Sequence, residues 1–220
     1  CGGNFIITAK NPAGPWSDPV WIKDVGGIDP SLFVDDDGAA WLMNNAAPAG
    51  AVLYEGHRAI WIRRFDLKTL KTSGPARMIV DGGVDISQKP IWAEGPHIFK
   101  RDGRYYLITA EGGTAINHSQ VVYRGDSPEG PWTAYPRPIL TQRDLEPLRR
   151  YPVTSAGHAD IVETQNGEWW ATFLATRPYG DDLYNTGRET FLLPVHWRDG
   201  WPVITAPGQG VAPVVRHPDL

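Results

Sequence analysis

Apolar residues along this chain come in short runs broken by Gly, Pro, Asn and Asp, and no stretch sustains a helical period. That pattern predicts many short strands and little helix. One element recurs three times: a polar or ionisable residue just ahead of an apolar run. The copies are Asp29-Pro30-Ser31-Leu32-Phe33, Glu94-Gly95-Pro96-His97-Ile98-Phe99 and His158-Ala159-Asp160-Ile161-Val162. Pro30 and Pro96 lie 66 residues apart, and the third copy follows at nearly the same interval. Each run then meets a two-residue turn (Asp37-Gly38, Asp102-Gly103, Asn166-Gly167) and a second strand-like segment.

A second motif repeats on the far side of each unit. Asn11-Pro12-Ala13-Gly14-Pro15-Trp16 is matched by Ser127-Pro128-Glu129-Gly130-Pro131-Trp132, with a strand before each and an apolar segment after it. Residues 64–69 followed by Gly74-Pro75 fill the same slot in between. One unit therefore reads as inner strand, hairpin, second strand, third strand, turn, outer strand. Four strands at this period are the signature of a β-propeller blade. The expectation is one all-β domain over 1–220, a partial propeller of about three and a half blades. It divides into a half-blade at 1–22 and blades near 26–85, 92–142 and 156–206. Stretches 44–59 and 141–157 read as longer loops, where binding sites often form.

Composition sharpens this only in places. The 24 Gly and 20 Pro suit strands joined by tight turns. Ten Trp fit either sugar-binding faces or packing between sheets, and packing carries more weight. A net charge of −4, with no stripe of Lys and Arg, argues against a nucleic-acid partner. No apolar run reaches membrane-spanning length. The single cysteine, Cys1, excludes an internal disulfide and leaves the compartment open among extracellular, periplasmic and cytoplasmic. Because Asn4 to Ala9 read as a strand in mid-pattern, the chain is expected to begin inside a domain rather than at a lipidated Cys1.

Several catalytic signatures are missing: a phosphate loop with its Lys, paired Cys, a His-Glu-x-x-His helix and a Gly-x-Ser-x-Gly elbow. What remains is acids at the starts of inner strands. Asp29 and Glu94 are taken as corresponding positions of successive blades, both aimed at the axis. Paired carboxylates across a sugar-sized cleft are the machinery of glycoside hydrolysis, one protonated and one charged. Like charges side by side keep one of them protonated near neutral pH. Taken singly, Asp29 reads as a turn carboxylate before Pro30, and Glu94 as a solvated strand-edge residue. Equivalence within the repeat favours function.

The remaining candidates each carry two readings. His158, in the matching slot, is either a hydrogen-bonded structural residue or a partner of a cation on the axis. Arg188 either pairs with Glu189 at the surface or reaches inward to a sugar hydroxyl or a carboxylate. Trp92, two residues before Glu94, would share its side of an extended strand, as a sugar platform or as packing. Asp35-Asp36-Asp37 reads as a solvated hairpin tip.

The motifs Gly27-Ile28-Asp29-Pro30-Ser31-Leu32-Phe33, Ala93-Glu94-Gly95-Pro96-His97, Gly157-His158-Ala159-Asp160 and Gly187-Arg188-Glu189-Thr190 together resemble glycoside hydrolase family 43. Tyr54-Glu55-Gly56-His57-Arg58-Ala59-Ile60-Trp61 further resembles its branch of β-xylosidases and α-L-arabinofuranosidases, and the likeness spans nearly the whole chain. The resemblance implies a five-bladed propeller that inverts the anomeric carbon of arabinose- or xylose-containing glycans such as arabinoxylan or xylo-oligosaccharides. By position, Glu94 matches the general acid and Asp29 the carboxylate that orients it and tunes its pKa. Arg188 matches the arginine near the sugar at the cleavage point, and His158 the histidine near an axial calcium ion, Ca2+, of structural role. The family's general base is an Asp on the first blade, ahead of everything here. The resemblance thus implies roughly 100 residues upstream, and a 220-residue chain that is inactive alone. Asp18, in an Asp-Pro pair on an outer strand, does not replace that base. An open propeller also exposes unpaired strand edges, which predicts poor solubility. The alternative is a non-catalytic carbohydrate-binding propeller. A different glycan-active propeller, such as a fructan hydrolase, fits the motif order less well.

Overall fold

The computed structural model describes residues 2–146, 149–179 and 183–219. Cys1 lies outside them, as do two residues of the 141–157 loop. Strands dominate, and the one helical element among the described residues is a single 3-10 turn at Ile86–Gln88. A two-stranded sheet pairs β1 (Asn4–Ile6) with β2 (Val20–Ile22). The next sheet runs β3 (Ile28–Val34), β4 (Ala40–Ala46), β5 (Ala59–Asp66), β6 (Lys71–Asp81), each strand antiparallel to the one before.

The following sheet holds β7 (Glu94–Arg101), β8 (Arg104–Glu111) and β9 (Ser119–Gly125), with two short outer strands, β10 (Thr133–Ala134) and β11 (Leu140–Thr141), both on β9. A three-stranded sheet follows, of β12 (Thr154–Glu163), β13 (Trp169–Thr176) and β14 (Arg188–Pro194). It lacks the fourth strand that the repeat predicts. Instead β15 (His196–Arg198) and β16 (Trp201–Val203) pair with each other as a separate hairpin. Trp197 and Trp201 at that hairpin stack edge-on against Tyr106 of β8, so aromatic packing draws it to the preceding sheet.

The hairpin turns are not uniform. Asp102-Gly103 is a two-residue turn, with Arg101 opposite Arg104 and both turn residues at positive φ. The other two enclose three residues. Asp35 N–H donates to Ala39 O (2.8 Å) and Thr164 N–H to Glu168 O (2.8 Å), which leaves 36–38 and 165–167 between them. The Asp35 side chain is also not a solvated tip. It accepts from Lys100 Nζ at 3.0 Å and from the Tyr105 hydroxyl, while Lys100 reaches Asp36 at 2.7 Å. This cluster ties the β3–β4 turn to the neighbouring sheet.

Three apolar layers separate the sheets. Ile6, Ile22, Val25, Ala40, Leu42 and Phe65 fill the space between the β1–β2 pair and the four-stranded sheet. Phe33, Met43, Ile60 and Ile62 meet Ile98, Leu107 and Val121 in the next layer. In the last, Tyr106, Ile108 and Val122 meet Ile161, Ala171 and Phe173. Along β8 the side chains alternate as the pleat requires, Leu107 to one layer and Tyr106 and Ile108 to the other. Sheets packed face to face in sequence order, with the first strands β3, β7 and β12 lying together, make the radial arrangement of a β-propeller.

Candidate active site

The first strands carry the same irregularity. Register shifts fall between Ile28 and Ser31 in β3, Glu94 and His97 in β7, and Gly157 and Asp160 in β12. Within each shift one residue is left-handed: Asp29 (φ 53°), Gly95 (φ 56°) and His158 (φ 52°). A bulge adds one residue and redirects its side chain, and such bulges gather next to functional sites. The structural equivalents are therefore Asp29, Gly95 and His158. Glu94 matches Ile28 and Gly157, one position earlier, so the two acids are not repeat equivalents. The proline spacing already carried this register, because 66 residues beyond Asp29 is Gly95.

The two acids meet all the same. Gly95 N–H donates to Asp29 Oδ2 at 3.0 Å, which pins Asp29 to the peptide that follows Glu94. Glu94 is 7% exposed, and its carboxyl is pushed up to about 7. Burial is the main cause and the Asp29 charge the second. The guanidinium groups of Arg188 and Arg58 pull the other way. A carboxyl in that range holds a proton it can give up near neutral pH.

His158 closes the site from the third sheet. Its ring lies against Gly95 so closely that a Cβ there would sit 2.6 Å from Nε2. Burial lowers its pKa, with His97 and Arg188 adding to the effect and Asp29 opposing it. The imidazole is thus biased toward its neutral form. Behind it, Ala159 N–H donates to Gln120 Oε1 at 2.8 Å and His118 donates from Nδ1 to Ser155 O at 2.9 Å, so side chains on and just before β9 hold the β12 bulge.

Arg188 opens β14, and its charge bears on Glu94, His118 and His158. The surface pair with Glu189 does not form. Glu189 is held instead by Arg177, with Nε to Oε1 at 3.0 Å. Trp92 departs from expectation. It precedes β7 with φ 55°, so it shares no strand face with Glu94, and the residue is 40% exposed, with the Arg58 guanidinium carbon 5.3 Å from its ring centroid. Sequence reasoning assigned no role to Arg58, His97 or His118. Arg58 stood inside a quoted motif, yet nothing in the chain's pattern tells that it folds back onto the start of β7. Among the described residues no three His, Cys, Asp or Glu side chains converge to hold a metal.

Comparisons with known proteins fit this geometry. The model of glycosyl hydrolases family 43 matches residues 1–202. A xylosidase/arabinosidase of Butyrivibrio fibrisolvens is 45% identical over 95% of this chain and 40% of its own length. The non-reducing end α-L-arabinofuranosidase BoGH43B of Bacteroides ovatus is 36% identical over 94% of this chain and 36% of its own. A crystal structure of a GH43_12 protein from capybara gut metagenome superposes with a TM-score of 0.85 at 46% identity, covering 93% of this chain and 37% of that one. The chain thus spans about two-fifths of the length of the relatives it matches. With a family match along almost its whole length, this chain belongs to glycosyl hydrolases family 43.

Proposed function

We propose that this chain is the part of an inverting pentosidase that carries the general acid, Glu94, and the carboxylate that tunes it, Asp29. The observation that carries the reading is the buried Glu94 carboxyl, about 7, with Asp29 anchored to the next peptide. In this reading Glu94 gives its proton to the glycosidic oxygen as the bond to the anomeric carbon breaks. Asp29 stays charged, and Arg188 binds the sugar at the cleavage point. Trp92 lines the substrate's path. Water attacks the opposite face and passes its proton to a second carboxylate. Asp29 is the one acid whose charge registers at Glu94 among the described residues, and its oxygen is engaged by Gly95. The base is therefore assigned to another part of the protein.

The substrate class is arabinose- or xylose-containing glycans, arabinoxylan or xylo-oligosaccharides, in keeping with the names of the relatives. The division we keep is a half-blade at 1–22 and blades of a five-bladed propeller near 26–85, 92–142 and 156–206, the last with three strands in its sheet and the 196–203 hairpin apart from it. An axial calcium beside His158 stays outside the reaction. Calcium takes six to eight oxygens, which the side chains gathered here do not supply, so water would provide most of them. A melting temperature unchanged by millimolar calcium would remove it. The central test is Glu94→Gln in the full-length protein. Release of xylose or arabinose from xylo-oligosaccharides or arabinoxylan should fall at least about a hundredfold with the fold intact by circular dichroism. Retained release would take Glu94 out of its role.

A further inference from the structure

Arg58, directly before β5, is held on one edge and free on the other. Its Nε–H donates to Asn45 Oδ1 at 2.9 Å. Asn45 is fully buried on β4, and its Nδ2 donates to Ala93 O at 2.6 Å, directly before Glu94. Both ends of that amide are used, so the guanidinium is tied to the acid's own segment through one fixed side chain. The Trp92 ring, 5.3 Å from the guanidinium carbon, adds a cation–π contact. The Trp92 backbone is held to the same turn, its main-chain N–H donating to Gly56 O at 2.8 Å. The two Nη groups make no hydrogen bond or ion pair with any described residue. An arginine this well oriented, with its outer donors unused at a partly open surface, is built to meet an acceptor from outside.

Position says which acceptor. Asp29, Asn45 and Arg58 lie on β3, β4 and at the start of β5, successive strands of one sheet. They form a row from the centre, where the first strands meet, toward the rim. Asp29, His158 and Arg188 gather around Glu94 at the inner end of that row. If the sugar being cleaved sits there, the group on the other side of the glycosidic oxygen extends outward, past Arg58 and Trp92. We propose that Arg58 recognises the leaving-group sugar, its Nη groups donating to ring hydroxyls while Trp92 walls the subsite. This rests on the glycosidase reading above and adds to it a residue that selects the aglycone.

The test is a comparison of Arg58→Ala and the length-preserving Arg58→Met in the full-length protein. Two substrates share one pentose: a pentose disaccharide, and the methyl glycoside, whose leaving group has no ring hydroxyls but still needs acid assistance. A charge-assisted hydrogen bond contributes enough that its loss lowers kcat/KM on the disaccharide by about tenfold to a hundredfold. The Arg58 charge also bears on Glu94, so activity on the methyl glycoside changes as well and reports a folded site. The readout is the ratio: the disaccharide should lose about tenfold or more beyond the methyl glycoside. Equal loss on both substrates would make Arg58 a support for Glu94, and no loss on either would make it a bystander. Both results overturn the proposal while leaving the glycosidase reading standing. A wild-type protein that cleaves neither substrate would sink both.

Discussion

At the scale of single residues, the proposed function turns on the protonation of Glu94. Burial raises its carboxyl, Asp29 adds to the rise, Arg188 and Arg58 restrain it, and together they leave it at about 7. A general acid works only while protonated, so kcat/KM of the full-length protein should decline as pH rises through about 7. Asp29→Asn removes a charge that favours the protonated form. The alkaline limb should then move to lower pH, measured as a pH profile of kcat/KM. A limb that stays put would mean that Asp29 acts on position alone. The same shift has a stability side. Because the folded value lies above the ordinary carboxyl range, stability is full below the unfolded pKa. It is lost as pH rises toward the folded one, on the order of 3 kcal/mol at most. Glu94→Gln should remove that slope.

At the scale of elements, the bulge in each first strand does the positioning. It turns Asp29, Gly95 and His158 out of the pleat at the same place in three sheets, at φ values near +55°. An L-residue held there loses about 1–2 kcal/mol relative to ordinary backbone, which Asp29 and His158 offset through their surroundings. Gly95 has a further reason to be glycine, since the His158 ring occupies the place of a side chain. Gly95→Ala should therefore destabilise by about 2–4 kcal/mol. Gly103→Ala, at φ 73° in a turn facing open space, should lose about 1 kcal/mol. Urea denaturation of the two variants measures the difference, and equal losses would mean that the ring moves aside at no expense.

At the scale of the whole molecule, the site is a meeting of three sheets. Asp29 comes from the first, Glu94 from the second, His158 and Arg188 from the third, and the apolar layers between sheets set their separation. In the proposed reading, acid, tuning carboxylate and sugar-binding arginine all fall within this chain, while Asp29 is the one acid whose charge registers at Glu94 among the described residues. We expect the 220-residue chain by itself to release no measurable pentose from nitrophenyl xyloside or arabinoside. Turnover above that of the Glu94→Gln chain would show that a base is present here after all.

Much of this was readable before any coordinates. Strand propensity, the turn residues and the recurrence of Asp29-Pro30, Gly95-Pro96 and His158-Ala159 are local properties, and local sequence settles where strands start and turn. Motif order also singled out Glu94, Asp29, His158 and Arg188, which the structure brings together. What the chain could not state was which residue faces which. A bulge changes side-chain direction by one position, so the pairing of Asp29 with Glu94 as equivalents failed although both reach one place. Trp92 left its expected face through a single left-handed φ, and Asp35 left solvent for Lys100 and Tyr105. Arg58 entered the site through Asn45, 13 residues away in sequence and one strand away in space. Those outcomes depend on contacts between sheets far apart in the chain, where packing and burial, rather than local preference, choose the arrangement.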